Sequence, residues 1–277
     1  MALKKLFKGV LIIIFILAAL AGALFVYARF VEPARLETVS ISFESPLVSK
    51  AVRVAVFADT HIGNGTDSGK LKKFFSAITS HKPDIVVFLG DLYENFSTFS
   101  PSAEERAGIA EAFSLKDLGE GVPKYAVFGN HDLGGKGKNG FRELLEQAGW
   151  QILVNLNVHL EGNINLIGAD DAIFGNPDIS GLTDGQMYNV LLVHEPDVAG
   201  RFSGVELQLS GHSHGGQVNL PFLGAMVLPK YGRIYLHGLY QKPDGGDIYV
   251  TRGMGMSTLP FRFGARPELT IVDILPG

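Results

Sequence analysis

Five short segments of this 277-residue chain place metal-ligand side chains directly after an apolar run. They are Asp59-Thr60-His61, Gly90-Asp91, Gly129-Asn130-His131-Asp132, His194-Glu195 and Gly211-His212-Ser213-His214-Gly215-Gly216-Gln217. Residues i and i+2 of an extended chain point to the same side. Asp59 and His61 can therefore face one cation together, and so can His212 and His214. Carboxylate, imidazole and amide oxygen without sulfur suit Mn²⁺, Fe or Zn²⁺ better than copper or an iron–sulfur cluster. The chain has no cysteine, which removes thiolate sites, cysteine nucleophiles and disulfides together. Glycine before Asp91, Asn130 and His212 allows the backbone to approach a phosphate closely.

A lone Asp-Thr-His or Gly-Asp is an ordinary turn. Two histidines among three glycines are not a core pattern, and the ordered set of all five segments points to a metal site. His61, His131, His194, His212 and His214 all fall in these segments, whereas His81, His159 and His237 lack such surroundings. Asp170-Asp171 reads as a loop turn.

The elements that must position these residues alternate. Apolar runs at 51–58, 84–89 and 123–128 read as strands, and the second is apolar throughout, as a strand buried on both faces is. Residues 68–81 carry Leu71, Phe74, Phe75 and Ile78 at helical spacing. Residues 102–118 and 140–147 read as further helices. From 151 the pattern turns mainly to strands, at 151–155, 164–168, 189–193, 205–210, 247–251 and 268–274. The expected fold is α/β, with two packed mixed sheets flanked by helices. Ligands in open α/β sheets bind beyond the carboxyl ends of strands, where all five segments lie.

Lys4, Lys5 and Lys8 precede an uncharged run over residues 9–28. At 1.5 Å per helical residue it spans roughly 30 Å, the thickness of a bilayer core. It reads as one transmembrane helix, or as a signal sequence if cleaved near Ala21-Gly22-Ala23. The lysines favour an inner N-terminus and an outer catalytic domain. The expected organisation is an anchor at 1–30, a linker at 31–50 with Pro33 and Pro46 as breakers, and a catalytic domain at 51–277. The net charge of −4 suggests no nucleic-acid partner. Nothing in the sequence bears on oligomeric state.

The motifs DTH, GD, GNHD, a strand-end histidine and GHSHGG together resemble the calcineurin-like metallophosphoesterase superfamily, from about residue 51 to the end. The tail Thr251-Arg252-Gly253-Met254-Gly255, Pro260-Phe261-Arg262 and Arg266-Pro267-Glu268, with an N-terminal anchor, resembles a bacterial membrane-associated phosphodiesterase branch. Some relatives there cleave the pyrophosphate of UDP-diacylglucosamine. The resemblance implies an αββα sandwich and two divalent cations, Mn²⁺ first, then Fe or Zn²⁺. One would be held by Asp59, His61, Asp91 and His214, and the other by Asp91, Asn130, His194 and His212. It implies further that His131 acts beside the phosphate and that Asp132 orients it. Glu94 has no assigned role.

The expected reaction is hydrolysis of a phosphodiester or pyrophosphate bond by a hydroxide shared between two cations. The substrate is either a membrane lipid or a small soluble phosphate ester; a non-enzymatic scaffold would lack several ligands. Arg252 and Arg262 either contact substrate anions or pair with acids in the tail. Residues 218–229 carry no charge, and such a loop is either a buried hairpin or meets an apolar ligand or bilayer. On the second reading Phe222, Leu223 and Met226 touch acyl chains or the membrane surface. The charge asymmetry around residues 9–28 makes a topological prediction. A phosphatase reporter that works only outside the cytoplasm, fused after Gly277, should be active. Activity of a cytoplasm-only reporter at the same position would reverse the orientation.

Overall fold

Side chains alternate across the strand that leads into Asp59. Ala55 and Phe57 join one buried apolar cluster and Val54 and Val56 another. The next strand repeats this, with Val86 and Phe88 on the first side and Val87 and Leu89 on the second. A strand covered on both faces must be apolar throughout, which is how these segments read.

A computed structural model describes residues 2–96, 98–119, 121–134, 137–242 and 245–277. Its elements begin with α1 (Ala2–Val26), β1 (Glu37–Ser45), β2 (Val52–Phe57), α2 (Ser68–Ser80), β3 (Ile85–Phe88), α3 (Ala103–Ser114), β4 (Lys124–Ala126), α4 (Asn130–Leu133), α5 (Gly137–Gln147) and β5 (Gln151–Ile152). There follow β6 (Leu156–Leu160), β7 (Ile164–Gly168), β8 (Tyr188–Leu192), β9 (Leu207–Ser210), β10 (Asn219–Leu220), β11 (Gly224–Ala225), β12 (Gly238–Gln241), β13 (Asp247–Val250) and β14 (Glu268–Pro276). One six-stranded sheet has the order β1-β14-β2-β3-β4-β5 and the other β12-β13-β9-β8-β7-β6. Strands β2 to β5 run parallel, as do β7, β8, β9 and β13.

The two sheets pack face to face through Val54, Val56, Val87, Val127, Leu166, Val190, Leu192 and Leu209. Helices α2, α3 and α5 cover the outer face of the first sheet through an aromatic core of Phe57, Phe74, Phe75, Phe88, Phe113, Phe141 and Trp150. The second sheet is covered by the short 3-10 segment Pro196–Arg201 and by Ile179 and Leu182. The expected class, two sheets flanked by helices after one apolar N-terminal helix, is the observed one.

One expectation needs correction. Segment 31–50 is not only a linker. It forms β1, which pairs in parallel with β14 along its whole length. The strand escapes a local reading because it is an edge strand with an alternating, half-exposed pattern and polar Thr38, Ser40 and Ser42. Its partner lies more than two hundred residues away. The strand at Leu156–Leu160 is likewise an edge and was not expected.

Phe113 shows what the aromatic layer is worth. Its fully buried ring lies 5.1 Å from Phe75, 5.5 Å from Phe88 and 6.1 Å from Trp150. Phe113→Ala should cost roughly 3–5 kcal/mol of unfolding free energy, read by denaturant titration in detergent. Metal content should be unchanged below the transition, because the ring packs on other aromatic side chains, Phe57, Phe75, Phe88 and Trp150, and not on the metal-ligand residues. A loss under about 1 kcal/mol would mean that the helical layer collapses onto the gap.

Candidate metal centre

Strands β2, β3, β4, β8 and β9 all release their chain at the same edge of the two sheets, and the five motifs follow them there. Asp59, His61, Asp91, His212 and His214 take left-handed backbone conformations, with φ of 54°, 39°, 61°, 70° and 53°. Such conformations cost non-glycine residues on the order of 1–3 kcal/mol each and persist only where the surroundings hold them. The chain accepts this cost in order to turn each side chain inward just after its strand ends.

Asp91 stands at the middle. Its Oδ2 lies 3.1 Å from His194 Nε2 and 3.4 Å from His61 Nε2, and its Oδ1 accepts the His131 amide at 2.8 Å. Asp59 Oδ1 lies 3.6 Å from His214 Nε2, 3.8 Å from His194 Nε2 and 3.9 Å from His61 Nε2. The ligand atoms of Asp59, His61 and His214 fall within 4.8 Å of one another, and so do those of Asp91, His194 and His212. All six of these residues are buried.

The histidine tautomers are set from behind. A carbonyl oxygen can only accept, so the ring nitrogen facing it must carry hydrogen. His194 Nδ1 donates to the Leu89 carbonyl at 2.7 Å, which leaves Nε2 toward Asp91. His212 Nε2 donates to the Lys230 carbonyl at 2.8 Å, which leaves Nδ1. His131 Nδ1 donates to the Glu94 carbonyl at 2.6 Å, which leaves Nε2. Tying one ring nitrogen to fix the other is how proteins prepare imidazole for a metal. Asn130 Oδ1 is buried without a hydrogen-bond partner. Orphaned buried polar atoms are rare, and this one fits a cation.

Electrostatics agrees. Burial opposes ionisation of Asp59, yet the imidazoles of His214 and His61 hold it at about 2. Burial likewise opposes charge on His61, but hydrogen bonding to Asp59, Asp91 and Glu94 raises it well above normal. His194 follows the same pattern through Asp91. His212 goes the other way, lowered to about 4 by burial and then by His194, and is neutral at pH 7. A buried cluster of carboxylates that draws positive charge onto its neighbours, with neutral imidazoles beside it, is a receptor for cations.

Asp132 faces the strand ends. Its carboxylate accepts the amides of Asp91 at 2.7 Å, Gly129 at 2.8 Å and Leu92 at 2.9 Å. Among the described residues no hydrogen bond joins it to the His131 ring. The Glu94 carbonyl holds that ring instead, and Asp132 clamps the ends of β3 and β4 together. Burial and the Asp91 charge raise its pKa to about 8, against three amide hydrogen bonds that favour the charged form.

Glu94 is the residue that sequence reasoning noticed but could not place. Besides holding His131, it brings Oε2 to 2.7 Å from His61 Nδ1 and accepts the Thr258 amide at 2.8 Å on Oε1. Its position three residues after Asp91, on the same loop, was the available signal. Asp171 caps a turn, accepting the amides of Ile173, Phe174 and Gly175.

Arg252 pairs with Glu268 at 2.5 Å and Glu37 at 3.1 Å. Arg262 is fully buried and donates to the carbonyls of Arg252, Gly253, Gly255 and Ala265. Its guanidinium also lies 3.4 Å from His214 Nδ1. This geometry makes both arginines cross-links of the tail. Phe222, Leu223 and Met226 are exposed on the β10–β11 hairpin, not buried.

The sequence profile described as calcineurin-like phosphoesterase matches residues 52–216. The chain is 36% identical to the uncharacterized metallophosphoesterase YkuE of Bacillus subtilis, over 99% of this chain and 98% of that one. It is 28% identical to phosphodiesterase YaeI of Escherichia coli, over 80% and 82% of the two chains. It is also 28% identical to a transmembrane protein with metallophosphoesterase domain from Danio rerio, over 86% of this chain and 57% of that longer one.

The Asp132 clamp should stabilise the fold even when metal is stripped away. Asp132→Ala leaves three buried amides without an acceptor, at roughly 1–3 kcal/mol for an unsatisfied group. The chelator-treated protein should therefore unfold at a clearly lower temperature than chelator-treated His131→Ala. Equal midpoints for the two variants would mean that the clamp contributes nothing to the fold.

Proposed function

The chain belongs to the calcineurin-like phosphoesterase family, and from that premise we propose that it cleaves a phosphodiester or pyrophosphate bond of a lipid-linked substrate at a membrane surface. It is a metal-dependent phosphoric ester hydrolase. One cation would be held by Asp59, His61, Asp91 and His214 and the other by Asp91, Asn130, His194 and His212, with Mn²⁺ ahead of Fe or Zn²⁺. Bound there, the two cations supply Lewis acidity toward phosphate oxygens and lower the pKa of a water.

The rest belongs to this chain's own side chains. His131 is half-buried, with Nδ1 tied to Glu94 and its ring 4.7 Å from that of His61. In its charged form it offers an Nε2 proton to the leaving oxygen or steadies the phosphate charge. Glu94 aligns both rings, and Asp132 fixes the loop from which Asp91 and His131 project. The observation that carries this reading is the reach of Asp91 Oδ2 across both clusters, 3.1 Å from His194 of its own and 3.4 Å from His61 of the other.

Two features support a lipid-linked substrate and an anchored enzyme. Helix α1 is 25 residues long and exposed along its described length, and at 1.5 Å per residue it reaches about 37 Å, enough to cross a bilayer core. An exposed apolar hairpin also follows the turn His214–Gly216, beginning at Asn219. In this reading residues 1–30 are the anchor, and the catalytic domain lies on the outer side of the cytoplasmic membrane.

Asp91→Ala should empty both metal positions and abolish hydrolysis. His131→Ala should keep both metals and lose turnover by on the order of 10²–10⁴. Elemental analysis beside turnover on a soluble diester reads both. Loss of both metals from His131→Ala would sink this division of roles. Turnover of a detergent-dispersed lipid no better than that of the soluble diester would sink the lipid-linked substrate.

A further inference from the structure

The hairpin β10–β11 carries four apolar side chains that are exposed among the described residues. Phe222 is fully exposed, at 107%, while Leu223 stands at 73%, Val227 at 76% and Met226 at 57%. Phe222 sits in the turn with φ of 67°, a conformation unfavourable to an aromatic residue.

The base of this hairpin is tied to the metal centre at both ends. Gln217 donates its amide to the His214 carbonyl at 3.0 Å, and the Lys230 carbonyl accepts from His212. On its other side the base pairs with the segment at 261–265. Asn219 donates to the Phe263 carbonyl at 2.7 Å, and Phe263 donates to Gln217 at 2.9 Å. That same segment receives the end of the anchor helix. Phe25 packs edge-on to Phe261 at 5.3 Å and Tyr27 to Phe263 at 6.1 Å, while Arg262 donates its amide to the Ala28 carbonyl at 2.9 Å. The base of the apolar finger is therefore separated from the anchor's end by one extended segment.

We propose that residues 222–227 are a second membrane foothold, seated in the headgroup boundary of the bilayer that holds α1, so that the metal centre opens onto the lipid surface. This rests on the membrane placement of α1 above and on no particular substrate. Continuity with the anchor argues for lipid as the occupant. So does the stretch that follows the hairpin in the chain, where exposed Lys230 and Arg233 flank Tyr231, over whose ring the Lys230 ammonium lies. Apolar tip, aromatic ring and cation in that order are what an interfacial segment presents to a bilayer. A second copy of the chain is a poor alternative, since a stable protein interface buries about 800 Å² per partner and four side chains on a two-strand hairpin offer less.

The absence of cysteine makes the test direct. The full-length protein is labelled with a polarity-sensitive nitrobenzoxadiazole at one introduced cysteine and reconstituted in phosphatidylcholine–phosphatidylglycerol vesicles that contain nitroxide lipids. Leu17→Cys reports the anchor, and Leu223→Cys and Met226→Cys report the hairpin. Glu161→Cys, in the turn before β7 at the opposite end of the sheet, reports water. The expected result is deep quenching at Leu17, a blue shift with headgroup-level quenching at both hairpin positions, and neither at Glu161. Quenching at Leu17 beside water-like spectra at both hairpin positions would overturn this inference and leave the anchor intact. A water-like Leu17 label would overturn the membrane placement and the foothold with it. A hairpin blue shift that follows protein concentration in detergent, without lipid, would show a second copy on the tip and also overturn it.

Discussion

The buried carboxylate of Asp91 sets the terms for everything around it. Taking a carboxylate out of water costs several kcal/mol even after relaxation, unless opposite charge and hydrogen bonds meet it. Here the compensation comes from three directions, His194, His61 and the His131 amide. No local stretch of chain could supply all three. The first sheet delivers Asp91, His61 and His131, the second delivers His194, and the two meet only because the sheets pack face to face. The sandwich brings imidazoles from two sheets to one acid, and the shared apolar layer of Val54, Val56, Val190 and Leu192 sets how closely they approach.

Holding these groups requires the backbone to leave its preferred conformations. The left-handed turns at Asp59, His61, Asp91, His212 and His214 would relax if nothing held them. The holders are visible. Asp132 gathers three amides from the ends of β3 and β4, Glu94 ties the rings of His61 and His131, and the carbonyls of Leu89 and Lys230 each fix one histidine. These groups orient the site from outside it, and each acts on the rotamer, tautomer or loop position of another residue. The division suits a site whose charges must be in place before any substrate arrives.

What could be read from the sequence follows the same division. Asp59, His61, Asp91, Asn130, His131, His194, His212 and His214 were legible because their types are rare together and each follows an apolar run. The buried strands were legible because a strand covered on both faces has no polar residue to spare. Edge strands were not, since β1 alternates Thr38, Ser40 and Ser42 with apolar residues and gains its identity only from β14. The contacts of Asp132 were not legible for a related reason. The resemblance implied only a role beside His131, whereas the carboxylate, in the first turn of α4, accepts amides from the strand ends. Arg262 was open between substrate and tail, because a guanidinium with anions in prospect and one closing backbone carbonyls look alike in sequence.

Arg262 joins the site to the segment that receives the end of α1. A fully buried guanidinium is costly, and burial lowers its pKa to about 10, yet only arginine offers a planar fork of five donors. Four carbonyls of the 252–265 segment take those donors. That segment cannot retreat on its inner side. A Cβ at Gly255 would lie 2.1 Å from the Thr60 carbonyl, and one at Gly253 would lie 2.6 Å from the Asp59 side chain. Its outer side carries Phe261 and Phe263 against Phe25 and Tyr27, and Glu32 accepts the Ala265 amide. The chain leaving the anchor is thus bonded to the same short segment that lies against Asp59. A helix end packed on this segment fixes how the candidate metal centre stands relative to α1.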